Sequence, residues 1–136
     1  MANLNTRSPS VQVARLFQQL NKRLDVELAG LNLKRGQHAG LLALAEHQPC
    51  SLDTLVRVLE IDKAAASRSV ASLERHGWVH TAPSPDDARR KCLTLTPEGQ
   101  ALATRVMECM QAVDAWFEAE YGPALCRALR SVKKGG

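Results

Sequence analysis

Apolar residues recur at three- and four-residue spacing over both ends of this chain and switch to alternation between them. Val13, Phe17, Leu20, Leu24 and Leu28 trace one helical stripe, opened by Ser8-Pro9 as cap and first-turn proline and closed by Gly30. A second helix is predicted from about Arg35 to His47, with Leu41, Leu42, Leu44 and Ala45 apolar. Its start is weak: Lys34 has no capping oxygen, and Gly36 and Gly40 each cost up to about 1 kcal/mol against alanine. The small residues Gly36, Ala39, Gly40 and Ala43 point either to close helix packing, the commoner outcome, or to room for a ligand.

Ser51 caps a predicted third helix from Leu52 to about Leu59, with Asp53 placed to complement its dipole. After the turn Glu60-Ile61-Asp62, a fourth helix is predicted from Lys63 to His76, stopping at Gly77. The period then becomes two, so Trp78 to Thr81 and Cys92 to Leu95 read as paired strands joined by the charged loop PSPDDARR. Thr96-Pro97-Glu98 restarts a helix that runs to Tyr121 on Leu102, Val106, Cys109, Val113 and Trp116, with Met110, Phe117 and Tyr121 widening the stripe. Gly122-Pro123 breaks it, and a short helix through Leu129 precedes a KKGG tail. The fold class is therefore mainly α with a small β-hairpin wing, as one domain over residues 1–136. Residues 33–96 form a compact middle unit; 8–30 and 97–133 are terminal helices whose wide stripes find their core in a second subunit, giving a homodimer. The alternative is that they fold back on the middle unit.

A chain of 136 residues buries one sizeable core, and at 45% hydrophobic and 24% charged it has no apolar run long enough to span a membrane. MANLNTRSPSVQVARLF lacks the apolar stretch and cleavage site of a signal peptide, so a cytoplasmic location is expected. The net charge of +4 permits an anionic partner without demanding one. The four cysteines, Cys50, Cys92, Cys109 and Cys126, are widely spaced without a CxxC, which favours reduced thiols packed as small hydrophobes over a redox-sensing thiol.

On the fourth helix, Ala66, Val70 and Leu73 gather on a core face, and Ala65, Arg68, Ser72 and Arg75 gather opposite with Ala64 beside them. A short helix, a tight turn and such a helix make a helix-turn-helix, a shape suited to the major groove of double-stranded DNA. Its N-terminal N–H groups and Lys63 face phosphates; Arg68 reaches a guanine edge or a phosphate; Ala64 and Ala65 offer apolar contact to thymine methyls; Ser67 completes the contact set. The hairpin tip gathers Arg89, Arg90 and Lys91 against Asp86 and Asp87, and an arginine there suits a narrow minor groove. Asp87 is placed to orient an arginine rather than to touch DNA. No glycine-rich phosphate loop is present, and His38, His47, His76 and His80 lie on different elements, so neither an enzyme, a cofactor nor a metal centre is expected.

IDKAAASRSVASLERHGWV and SPDDARRKCLTLTPEG resemble the MarR-type winged-helix transcriptional regulators over about residues 10 to 121. Asp87-Ala88-Arg89 is similar to the family's D-x-R wing signature, Leu95-Thr96-Pro97-Glu98-Gly99 to its strand-to-helix junction, and Gln37 falls where the family often has glutamine. The resemblance implies a dimer joined through its terminal helices, recognition helices in successive major grooves and wings in flanking minor grooves. It also implies repression of a pseudo-palindromic operator, its half-sites about one helical turn apart, released by a small phenolic or aromatic acid. That effector is expected between the first and second helices and the start of the fifth, with Leu20, His38, Leu42 and Met107 as candidate lining. Three departures stand out: Ala64 and Ala65 replace Ser or Thr, Thr81 and Ala82 stand where wings often begin with arginine, and Glu60 replaces a turn glycine. A left-handed Glu60 costs roughly 1–2 kcal/mol. Two other readings stay open: a cysteine-based redox regulator of the same fold, and a winged-helix module that binds protein and has lost DNA binding.

Overall fold

Side-chain caps decide where the helices begin. The computed structural model describes residues 7–133; the leader reading of residues 1–6 and the end of the KKGG tail lie outside the described residues. The helices are α1 (Pro9–Ala29), α2 (Arg35–His47), α3 (Leu52–Leu59), α4 (Lys63–Arg75), α5 (Pro97–Tyr121) and α6 (Pro123–Arg130), with strands β1 (Val79–Pro83) and β2 (Lys91–Leu95) between α4 and α5. Ser8, Ser51, Asp62 and Thr96 accept from the N–H groups of Val11, Thr54, Ala65 and Gly99 at 3.4, 3.3, 2.7 and 3.1 Å. The Asp62 bond is the shortest, and its acceptor is charged. Asp62→Ala is expected to cost about 1 kcal/mol of stability, read as a lowered urea midpoint with unchanged slope; an unaltered midpoint would remove the cap from the account. For α2 the cap runs in reverse: Lys34 has no oxygen to offer, and its own N–H donates to Gln37 Oε1 at 3.0 Å.

Boundaries move slightly from those predicted. The fourth helix ends at Arg75, with His76 as its cap residue at φ −81°, and the last helix runs one residue past Leu129. Trp78 precedes the first strand, its N–H donating to Leu73 O at 3.0 Å. The two strands pair antiparallel from Val79↔Leu95 to Pro83↔Lys91, and Cys50 adds a single bridge to Leu93. Pro83 is tolerated because it closes the ladder. Glu60 adopts the left-handed conformation, φ 53° and ψ 44°, that its place in the turn demands.

The core lies around α2, which packs against α1, α3, α4, α5 and β2. Leu28, Leu41, Leu44, Leu73 and Val106 are fully buried there, with Leu55, Leu93 and Val113 nearly so. Gly40 brings α2 close to α4, since a Cβ at that position would stand 3.0 Å from Leu73 Cδ1 and 3.2 Å from Ser69 Oγ. Gly36 has nothing within 4 Å of its missing Cβ. The small-residue stripe thus packs in its second turn and opens space in its first. Gln48, capping the end of α2, reaches three ways: its backbone N–H donates to Leu44 O, its Oε1 accepts from Leu95 N at 2.8 Å, and its Nε2 donates to Gln100 Oε1 at 2.9 Å.

Leu24 and Leu28 anchor the C-terminal half of α1 in this core, but Val13, Phe17 and Val26 are 64%, 62% and 69% exposed. Tyr121 donates to Gln19 across the α1–α5 contact, and Arg23 lies over the Trp116 ring at 5.6 Å. No helix among the described residues is long and apolar enough to cross a membrane.

Candidate nucleic-acid interface

The buried face of α4 is the predicted one, Ala66, Val70 and Leu73. The face opposite it is centred differently. Lys63, Ala64, Ser67, Arg68, Ala71 and Arg75 are exposed, whereas Ala65 and Ser72 are half-buried on the flank toward α2. Gln37 Nε2 donates to Ser72 Oγ at 3.5 Å, so Ser72 is engaged within the protein. The outward ridge therefore runs Ala64, Arg68, Ala71, Arg75, at the three- and four-residue spacing of one helix face. Ala71 escaped the sequence reading because its small apolar side chain carries no signal of its own.

A groove flanks each side of this ridge. Toward α2, a groove of about 690 Å³ is lined by Lys34, Gly36, Gln37, Ala65, Arg68, Ser72 and His76 among others. His76 closes one end, its ring stacked on Trp78 at 4.4 Å and its Nδ1 2.8 Å from Ser72 O. Toward the wing, a space of about 280 Å³ brings Ser67 and Ala71 opposite Thr81 and Lys91. Thr81 Oγ1 also donates to Glu74 Oε2 at 3.3 Å, tying β1 to the end of α4.

The loop between the strands is closed by its own backbone: Ser84 N–H donates to Arg90 O at 2.8 Å and Arg90 N–H to Asp87 O at 3.0 Å. Asp87 Oδ1 accepts from Arg89 N at 3.0 Å and lies 3.8 Å from Arg89 Nε. The Arg89 side chain is 95% exposed, so this pair contributes little to stability and leaves the guanidinium presented outward. Arg90 is exposed beside it. Lys91 opens β2 opposite Pro83, in the rung next to the tip loop, as its neighbours in sequence suggested.

The four candidate effector residues are spread over α1, α2 and α5. Leu20 and Leu42 pack half-buried against the core, His38 is half-buried and Met107 is 48% exposed. None of them lines the groove beside α4. All four cysteines are free thiols. Burial pushes the Cys50 thiol up, with Cys92 adding to it, and burial likewise raises Cys109; both shifts disfavour the reactive thiolate. Among the described residues no group of three or more His, Cys, Asp or Glu is arranged to hold a metal.

Comparison with known proteins agrees with this geometry. Residues 30–90 match the MarR family. The transcriptional regulator HosA of Escherichia coli O111:H- is 29% identical over 106 residues, which cover 78% of this chain and 77% of HosA. The structure of Bordetella bronchiseptica BpsR, whose DNA binding is regulated by 6-hydroxynicotinic acid, matches with a TM-score of 0.82 at 21% identity, over 98% of this chain and all of that one. Staphylococcus aureus MepR, solved with DNA, matches with a TM-score of 0.81 at 17% identity over 91% and 92% of the two chains. The family match covers the helix-turn-helix and the first strand of the wing, and the winged helix-turn-helix fold is one that this chain shares with BpsR and MepR.

Proposed function

We propose that the protein is a homodimeric repressor that binds a pseudo-palindromic operator and is released by a small aromatic acid. The observation that carries the DNA reading is the common exposure of Lys63, Arg68 and Arg75 on α4 and of Arg89 and Arg90 on the wing. Ala64, Ala71 and Ser67 complete a helix face slim enough for a major groove, with Ala65 and Ser72 at its margin. Dimerisation is supported by Val13, Phe17 and Val26 on α1 and Leu129 and Val132 at the other end of the chain, large apolar groups left in water by the monomer.

The groove between α2 and α4 supports an effector of the aromatic-acid class. Leu59, Ile61 and Ala39 supply an apolar floor, and Lys34, Arg68 and His76 supply positive or polar groups at its rim. A carboxylate held there takes Arg68 away from DNA, so release is direct competition. BpsR, regulated by 6-hydroxynicotinic acid, lends the ligand class plausibility.

The test is fluorescence anisotropy of the purified protein against DNA from its own upstream region and against a scrambled fragment, with and without 6-hydroxynicotinate. The expected result is tight, salt-sensitive binding to the native fragment alone, with release by the acid and not by its neutral amide. Equal weak binding to both fragments would overturn the repressor reading. Operator binding that ignores the acid would overturn this effector class.

A further inference from the structure

A cleft of about 260 Å³ opens where the start of α3, the start of α4 and the tip end of the wing converge, lined by Ser51, Leu52, Asp53, Lys63, Arg89, Arg90 and Lys91. Four of these seven are cations, and Asp53 is the single acid. Among the described residues, Lys63, Arg90 and Lys91 form no ion pair, and Arg89 is engaged only by Asp87. Four positive charges from α4 and the wing are thus held together with only Asp53 and the Asp87 partner of Arg89 to offset them, an excess of cations that an anion would complete.

The location identifies the anion. In the proposed complex α4 enters a major groove and the wing tip an adjacent minor groove, and two adjacent grooves of a duplex are separated by one sugar–phosphate strand. That strand has to cross the protein between α4 and the wing, which is where the cleft lies. We infer that the cleft between α3, α4 and the tip end of the wing is a phosphodiester seat in which Lys91 and Lys63 grip the DNA strand that separates the two grooves. This rests on the DNA-binding reading above and adds to it a residue, Lys91, and a role. Lys91 also lines the space in front of Ser67 and Ala71, so a phosphate there sets the depth at which those residues meet the bases. Such a seat positions the duplex without reading sequence, and it compensates for a wing that starts with Thr81 and Ala82 rather than with arginine.

Lys91→Gln removes one charge at an exposed position and should leave the melting curve unchanged. Each lost phosphate contact lowers the slope of log K against log salt by about 0.9, so two protomers should lose about 2. The native-to-scrambled affinity ratio should stay as in the wild type. Lys22→Gln, a charge removed from exposed α1, should keep the wild-type slope. A scan of single methylphosphonates through one half-site should find one position that weakens the wild type but not Lys91→Gln. A wild-type slope for Lys91→Gln, or methylphosphonate effects that simply add to it everywhere, overturns the seat while the regulator stands. Wild-type protein without salt-steep operator binding overturns both.

Discussion

Alanine in place of Arg68 should abolish operator recognition while the protein folds and associates as before. The side chain is exposed and, among the described residues, makes no hydrogen bond or ion pair, so its removal takes nothing from the folded state beyond about 0.5 kcal/mol. On DNA the same side chain is the one long cation at the middle of the α4 ridge, between Ala64 and Ala71, neither of which can donate a hydrogen bond. An arginine–guanine pair is worth about 1–3 kcal/mol of discrimination. Two half-sites double that to about 2–6 kcal/mol, a loss of roughly 30-fold to more than 10⁴-fold in affinity. Anisotropy against native and scrambled fragments separates the outcomes: the native fragment should fall to the level of the scrambled one. Retention of the wild-type ratio would show that base readout lies elsewhere on the ridge. Because Arg68 also lines the groove toward α2, the variant should in addition lose its response to an aromatic acid.

The largest effect on stability is expected at Gly99. A Cβ there would stand 2.0 Å from Trp78 O and 2.8 Å from Trp78 C, contacts with backbone rather than with a flexible side chain. Trp78 cannot step aside, because its N–H donates to Leu73 O at 3.0 Å and its carbonyl accepts from Thr96 N at 3.0 Å. Thr96 Oγ1 fixes the neighbouring peptide as well, donating to Gly77 O at 2.6 Å. Gly99→Ala therefore has to break part of the junction that joins α4, the wing and α5. Overpacking of this kind costs about 3 kcal/mol, the upper end of its usual range. For a chain of this size that corresponds to a fall of about 10 °C in Tm. Gly36→Ala is the matched control: its Cβ meets nothing within 4 Å, and removing a helical glycine should stabilise by up to about 1 kcal/mol. A Gly99→Ala melt equal to that of Gly36→Ala would refute the backbone clash.

The sequence made some of this architecture legible and hid the rest for physical reasons. Ser8, Ser51 and Thr96 were readable because a cap is a local event, settled by one oxygen and an N–H three residues on. The core face of α4 was readable because Ala66, Val70 and Leu73 keep helical spacing. Which flank of that helix a neighbour covers is not local. Gly40 lets α2 approach at Ser69 and Leu73, and Gln37 then engages Ser72, so the outward ridge turns toward Ala71. Lys91 was readable with Arg89 and Arg90, since the register sets it opposite Pro83, in the rung next to the tip loop. The groove beside α4 was half legible: the small residues Gly36 and Ala39 left room for a ligand as one reading, but the residues opposite them come together only on folding.

Gln48 has a consequence for how such a regulator can diverge. Its amide joins the end of α2 to Leu95 in β2 and to Gln100 in α5, so the wing strand is braced to the long helix at its root. A wing anchored in this way cannot flex by itself to accommodate half-sites set farther apart or closer together. In the proposed dimer, spacing would be adjusted by tilting whole protomers through the terminal helices α1 and α5. Lineages that drift to operators of new length should record the change in residues such as Phe17 and Met107, far from any base, while the reading head stays as it is.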